Sequence, residues 1–128
     1  MKRIILDTNF LLVPLKFRVD IFSEIHRICD FHYKLLAYEG TIEELRKIIS
    51  GQKGINKKAA QFGLKIIKLK NIEILKDTND KDVDSMILEN CDNNTIVATL
   101  DIALKKKLME KNVPVIILRQ KEYLKFAN

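Results

Sequence analysis

Residues 3–12 read RIILDTNFLL, and their pattern predicts the fold class. An apolar run, residues 4–6, leads directly into Asp7, and residues 10–12 are apolar again. Short apolar runs of this kind are typical of strands that are buried on both faces of a parallel sheet. Asp7 would then lie at the carboxyl end of the first strand, where sites form in such sheets. An Asp at this position is also a common helix N-cap, so Asp7 alone leaves both interpretations open.

Short apolar runs alternate with helical stripes along the rest of the chain. This alternation indicates a parallel sheet that is covered by helices on both faces. The predicted strands are residues 2–6, 33–38, 72–75, 95–99 and 113–118. The predicted helices are residues 21–28, 42–50, 55–70, a segment that ends near Asn90, and 102–111. A polar loop is expected at 77–84, and a short basic tail is expected to close the chain.

The composition is that of an ordinary folded chain. Its 128 residues are 47% hydrophobic and 31% charged, which fits one domain, residues 1–128. No apolar run approaches the roughly 20 residues of a membrane span, and no signal-peptide pattern opens the chain. Cys29 and Cys91 do not form a disulfide framework. A reducing, cytoplasmic location without membrane attachment is therefore expected.

Three further acids occupy positions near the expected core. Asp84 shares a helical stripe with the apolar residues that follow it, Asp101 comes directly after the fourth strand, and Glu44 lies at the edge of another inward stripe. Asp101 could instead cap its helix, and Glu44 could pair with Lys47 on a solvated face. It is harder to explain all four acids together, Asp7 included, as helix caps and surface residues. A half-buried carboxylate costs free energy unless a cation or a hydrogen bond compensates it.

A divalent cation would compensate this charge. Mg²⁺ and Mn²⁺ prefer carboxylate and water oxygens, and they often take only one or two direct protein ligands. Clustered carboxylates repel one another, which favours metal binding. One or two such ions activate water and stabilise the transition state of phosphodiester hydrolysis. The acids thus predict a metal-dependent hydrolytic site.

The basic residues lie outside this acidic set. The net charge is +6, and leaving the four acids out raises it to +10. A soluble surface explains a basic charge as well as a polyanionic partner does, but an acidic site among lysines suits an anionic polymer such as RNA. The candidate RNA-binding residues are Lys105, Lys106, Lys107, Arg119 and Lys121.

The acidic motifs resemble those of the PIN-domain nuclease family. ILDTNFLL resembles the family's opening motif, IEELRKI its acidic helix, DVDSMIL its third acidic motif and IVATLDIALKKKL its last. The resemblance assigns catalytic and metal-binding positions to Asp7, Glu44, Asp84 and Asp101, and supporting positions to Asn9 and Thr99. It covers nearly the whole chain, and it is greatest to the branch that contains the small-subunit rRNA-processing nucleases and their archaeal relatives.

Membership of this family implies a three-layer α/β/α fold with five parallel strands in the order 3-2-1-4-5. It also implies RNA cleavage that depends on Mg²⁺ or Mn²⁺, a homodimer and, for this branch, ribosome-assembly partners. Asp7 and Asp101 are expected to bind the metal directly, and Glu44 and Asp84 through water. The sequence departs from the family pattern at Leu100, where Asn is common.

Two other functions stay open. A toxin nuclease of a toxin–antitoxin pair shares the chemistry and differs in its target, and a binding module of the same fold would hold RNA or an assembly partner without cutting. A receiver domain fits poorly, because the first strand ends in a single acid. A zinc site at His26, Cys29 and His32 lacks a nearby fourth ligand.

Overall fold

The computed structural model describes residues 1–77 and 82–128. Within these residues, six strands form one sheet in the order β3-β2-β1-β4-β5-β6. They are β1 (Lys2–Leu6), β2 (Tyr33–Tyr38), β3 (Glu73–Leu75), β4 (Thr95–Ala98), β5 (Val115–Arg119) and β6 (Tyr123–Phe126). The first five are parallel, and β6 pairs antiparallel with β5. The predicted parallel order is confirmed, whereas the prediction of a tail after the fifth strand was wrong.

Helices cover both faces of this sheet. They are α1 (Val13–Phe17), α2 (Ile21–Ile28), α3 (Glu39–Gly51), α4 (Gly54–Leu69), α5 (Val83–Glu89) and α6 (Ile102–Glu110), with a 3-10 turn at Asn9–Leu12. Of the predicted loop at 77–84, residues 78–81 lie outside the described residues. None of the helices in the described ranges is long and apolar enough to cross a membrane.

The side chains of β1 show why the sheet is buried on both faces. Ile4 and Leu6 pack into one core together with residues of α1 to α4, while Ile5 packs into a second core with residues of α5 and α6. All three side chains are buried. A strand that is apolar at every position suits an inner strand of a three-layer fold.

The turn between β5 and β6 explains why the sixth strand was missed. Gln120 and Lys121 have φ values of 53° and 54°. Two successive positive φ values define a hairpin turn that usually carries Asn or Gly, so this sequence gives no turn signal. Leu124 of β6 is fully buried, its N–H donates to Glu24 Oε1 at 3.0 Å, and Arg27 Nη2 donates to its carbonyl at 2.9 Å. The strand is therefore fixed between β5 and α2.

The carboxyl ends of β1 and β4 lie side by side, which brings together the polar segments that follow them. The Asp7 N–H donates to Ala98 O at 3.0 Å, and the Thr99 N–H donates to Ile116 O at 3.2 Å, so the ladder continues just past the strands. The 3-10 turn that follows Asp7 packs closely on α4. A Cβ on Gly63 would lie 2.9 Å from Leu11 O, so the absence of a side chain there allows the close approach.

Candidate active site

The carboxyl ends of β1 and β4 open into a pocket of about 280 Å³, here called the carboxylate pocket. The four predicted acids, Asp7, Glu44, Asp84 and Asp101, all line it. They come from the end of β1, from α3, from α5 and from the start of α6, which are far apart in the sequence. The fold thus brings together the acids that the sequence analysis selected.

Asp7 is the buried member of the set, with 4% of its surface exposed. Thr99 Oγ1 donates to its Oδ2 at 2.7 Å, and the Thr8 N–H donates to its Oδ1 at 2.9 Å. Burial raises the pKa of Asp7 from 3.8 to about 6 despite these bonds, and the charges of Asp84 and Glu44 add to the increase. The 3-10 turn that follows has no side-chain cap. The N-cap interpretation of Asp7 was therefore wrong.

Glu44 reaches the pocket from an exposed position on α3. Thr8 Oγ1 donates to its Oε1 at 2.9 Å and lies 3.1 Å from Thr41 Oγ1. Partial burial of the carboxyl end raises the pKa of Glu44, and the charge of Asp84 contributes in the same direction. Within the described part of the chain, Glu44 forms no ion pair with Lys47. The charge of Lys47 still acts to lower the pKa of Glu44, and the exposed position that this interpretation expected is found, but the close ion pair is not.

Asp84 lies in the first turn of α5, and Asp101 is the N-cap residue of α6. Asp101 Oδ1 accepts a hydrogen bond from the Leu104 N–H at 3.0 Å, so it caps α6 as well as lining the pocket. Asp84 is exposed as a whole residue. The partial burial of its carboxyl group raises its pKa, and the charge of Asp101 acts in the same direction. Glu44 and Asp84 are more exposed than the half-buried positions expected for them, although partial burial still acts on their carboxyl groups. Asp82 caps α5 through the Ser85 N–H.

Asn9 and Thr99 connect the turns that follow β1 and β4. Asn9 Oδ1 accepts from the Leu100 N–H at 3.1 Å, and Thr99 Oγ1 accepts from the Asp101 N–H at 3.0 Å while it donates to Asp7. Thr99 is 1% exposed. These bonds fix the position of Asp101 relative to Asp7.

Thr8 is the pocket residue that the sequence analysis missed. Its N–H binds Asp7 and its hydroxyl binds Glu44, so it links the acids of β1 and α3. Two signals could have identified it. Thr8 directly follows the acid at the end of β1. Thr41 lies one turn before Glu44 on the same face of α3, so a hydroxyl group was to be expected beside Glu44.

The predicted basic residues do not form one patch. Lys105 and Arg119 line a second pocket of about 300 Å³ that shares Asp101 with the carboxylate pocket. Lys106 and Lys107 are exposed on α6, and the charge of Lys107 acts to lower the pKa of Asp84. Lys121 lies apart from them, with its Nζ 5.9 Å from the centre of the Phe17 ring.

The donor chemistry of the carboxylate pocket fits a hard divalent cation. Each acid is an oxygen donor, and burial together with the charges of neighbouring carboxylates disfavours ionisation of Asp7, Glu44 and Asp84. Across residues 1–77 and 82–128, no three His, Cys, Asp or Glu side chains already form a metal-binding group. The oxygen donors of the pocket are of the kind that a hard divalent cation prefers.

Residues 4–121 match the family model described as a PIN like domain. The chain belongs to the PIN-like domain family. It is 34% identical over 125 residues to "Ribonuclease VapC4" of Methanocaldococcus jannaschii. The alignment covers 96% of this chain and 95% of the relative. The predicted membership of the PIN-domain nuclease family is confirmed.

Solved structures agree with this family at the level of the fold. The PIN domain endonuclease Utp24 aligns with a TM-score of 0.80 at 20% identity, covering 98% of this PIN-like domain and 90% of that chain. VapBC2 from Rickettsia felis, bound to a DNA fragment from its promoter, aligns with a TM-score of 0.55 at 15% identity, over 91% and 99% of the two chains. The predicted three-layer α/β/α fold is confirmed.

Proposed function

We propose that this PIN-like domain is an endoribonuclease that hydrolyses RNA phosphodiesters with Mg²⁺ or Mn²⁺. The observation that carries the proposal is the convergence of Asp7, Glu44, Asp84 and Asp101 on one pocket at the carboxyl ends of β1 and β4. Family membership and the ribonuclease relative support the reaction class. The basic net charge of +6 supports a polyanionic substrate.

Each pocket residue has a role that follows from its surroundings. Asp7 and Asp101 would hold the cation directly. Thr99 contacts both of them, through the Asp7 carboxylate and the Asp101 N–H, which sets their separation. Glu44 and Asp84, at exposed positions, would act through water and orient the attacking water molecule. A bound divalent cation would supply an activated water and offset the charge of the phosphate.

Residues of the chain position the acids before substrate arrives. One oxygen of Asp7 accepts from Thr99 and the other from Thr8, so the plane of the carboxylate is fixed and each oxygen keeps a second acceptor position. Thr8 also holds Glu44. The pocket is therefore largely preorganised, which is the condition for efficient use of a charged site.

Cleavage of an unstructured RNA tests the proposal. The protein should cut with Mg²⁺ or Mn²⁺, stop when EDTA is in excess, and fail with Ca²⁺, which takes similar oxygens at longer distances. Asp101→Asn should abolish cutting and leave RNA binding intact or tighter. Asp20→Asn is the matched control, because Asp20 caps the exposed start of α2 and does not line the carboxylate pocket. Cutting that persists in EDTA would contradict the mechanism.

The biological role has two candidates within this chemistry. The relative with 34% identity is named as a VapC ribonuclease, which favours a toxin-type nuclease with an antitoxin partner. The fold likeness to Utp24 and the sequence motifs favour precursor ribosomal RNA as substrate, with ribosome-assembly partners. Cleavage assays on precursor rRNA, and on RNA in the presence of a neighbouring antitoxin, would separate the two candidates.

A non-cleaving binding module is the alternative from another class. It predicts RNA binding without cutting for every divalent cation and every RNA that is tested. A cytoplasmic location and a homodimer also belong to the proposal. Sedimentation of the purified protein would test the homodimer.

A further inference from the structure

A second pocket adjoins the carboxylate pocket at Asp101. It has a volume of about 300 Å³, at the small end of the range for small-molecule sites. Thr99 and Asp101 line it, which places it next to the centre of the proposed chemistry. We call it the α6 pocket, because Ile102 and Lys105 of that helix also line it.

The lining of the α6 pocket combines apolar side chains with two cations. Leu100, Ile117 and Leu118 are partly exposed there, although they also pack against the two cores. Ile102 is 76% exposed, at the first residue of α6. A single exposed isoleucine is ordinary on a protein surface, but here it continues an apolar pocket wall.

The two cations of the α6 pocket are available to an anionic ligand. Lys105 is partly buried and Arg119 is exposed at the end of β5. The ion pairs found within 1–77 and 82–128 involve neither of them. Asp101 also lines the pocket and repels a phosphate, so a charged group would lie towards Arg119 and a neutral group towards Leu100 and Ile102, the neighbours of Asp101 in the sequence.

We propose that the α6 pocket is a subsite for one unpaired nucleotide beside the scissile phosphodiester, an inference that rests on the proposed ribonuclease function. A nucleobase has an apolar face that matches Leu100 and Ile102, and the adjoining phosphate matches Lys105 and Arg119. Bases in a duplex are stacked and cannot enter such a pocket, whereas single-stranded RNA can turn a base outwards. The subsite selects single-stranded RNA.

The first test compares two exposed isoleucines near helix starts. Ile102→Asn should raise the KM for a single-stranded oligoribonucleotide about three- to tenfold and leave kcat nearly unchanged, because an apolar contact is lost while Asp101 stays in place. Ile55→Asn is the matched control, since Ile55 is 51% exposed near the start of α4 and lines neither pocket. Equal KM values for all three proteins would overturn the subsite.

Equilibrium binding separates failure of the subsite from failure of the proposed function. With a fluorescent single-stranded oligoribonucleotide in EDTA, Ile102→Asn should weaken the affinity about three- to tenfold, and a blunt duplex of the same sequence should bind wild type and variant equally. If wild type cuts no RNA, the ribonuclease function fails, and this binding comparison still decides the subsite. Equal weakening for single strand and duplex would overturn the preference for an unpaired nucleotide.

The phosphate side of the subsite is tested by salt dependence. Arg119→Gln should reduce the slope of log affinity against log salt by about 0.7, the value for one lost phosphate contact on a single strand. Arg18→Gln is the control, because Arg18 is also exposed but lines neither the α6 pocket nor the carboxylate pocket. An unchanged slope for Arg119→Gln would show that the pocket binds no phosphate through this residue.

Discussion

The two ends of β1 and β4 hold acidic residues in opposite conditions. At the amino end, Asp92 accepts hydrogen bonds from the Asn94 N–H at 2.8 Å and from Thr95 Oγ1 at 3.0 Å, and its Oδ2 lies 3.5 Å from Arg3 Nη1. These hydrogen bonds, the Asn94 N–H first, lower the pKa of Asp92. At the carboxyl end, Asp7 is buried, has no ion pair among the described residues, and has a pKa of about 6.

This difference separates a residue whose charge the fold stabilises from one whose charge the fold disfavours. The charge of Asp92 is favoured by its surroundings, so its ionisation adds stability. The charge of Asp7 is disfavoured by its surroundings, so its ionisation opposes folding until a cation arrives. An acid whose charge costs stability, in a pocket with three more acids, fits the cation-binding role proposed for Asp7.

The largest expected effect comes from removing the charge of Asp7. Asp7→Asn should lower the rate of RNA cleavage about 100-fold or more, because a metal ligand is lost. Its Tm should stay the same or rise, because the unfavourable buried charge is gone. Cleavage rates and thermal unfolding of the same preparations check both results. A large loss of stability would show that Asp7 mainly supports the fold.

The next effect concerns the run of lysines on α6, which follows Asp101. Neutralising Lys105, Lys106 and Lys107 together should weaken RNA affinity and reduce the salt slope by up to about 2, since each phosphate contact on a single strand contributes about 0.7. Lys2 and Lys111 form the control pair, because they donate to Asn93 O and Leu88 O. Equal slopes for the two sets would mean that the run on α6 is only a solvated helix face.

A smaller effect is the pH dependence of stability without metal. The folded pKa of Asp7 is raised, so between about pH 4 and pH 6 the folded protein keeps a proton that the unfolded chain releases. The free energy of unfolding should therefore fall as the pH rises through this window, by on the order of 3 kcal/mol from this residue. Urea denaturation in EDTA at several pH values should show that the difference in the free energy of unfolding between Asp7→Asn and wild type widens towards pH 7. Parallel curves would contradict the raised pKa.

The smallest effect is expected at the amino end. The folded pKa of Asp92 is lowered, so its contribution to stability is present above its ordinary pKa and is lost as the pH falls through the folded value. Asp92→Asn should lower the Tm slightly at neutral pH, have no effect on the Tm in acid, and leave RNA cleavage unchanged. Thermal unfolding at both pH values and a cleavage assay check this. Loss of cleavage in this variant would contradict the assignment of Asp92 to stability alone.

The sequence predicted the parts of the molecule that depend on local patterns. The first five strands and helices α2 to α6 follow from apolar periodicity, whereas the short α1 was not predicted. The acids after β1 and β4 follow from their position at strand ends. Asp101 shows the limit of this reasoning. It caps α6 and lines the carboxylate pocket, so two interpretations that were treated as alternatives both hold.

The remaining parts depend on tertiary contacts that have no local signal. β6 follows a turn at Gln120 and Lys121. Both residues have positive φ values, and neither is the Asn or Gly that would have predicted such a turn. The exposure of Glu44 and Asp84 depends on how α3 and α5 pack against the two cores. The role of Thr8 depends on Glu44, which is distant in the sequence and meets it only in the folded chain.

A manganese soak of a crystal tests the central claim most directly, because anomalous scattering locates the ion. The account predicts a peak in the carboxylate pocket, with oxygens of Asp7 and Asp101 as direct ligands and with Glu44 and Asp84 reached through water. The same soak of Asp7→Asn should lose this peak. A pocket without manganese in the wild-type crystal, or a peak that persists in Asp7→Asn, would contradict it.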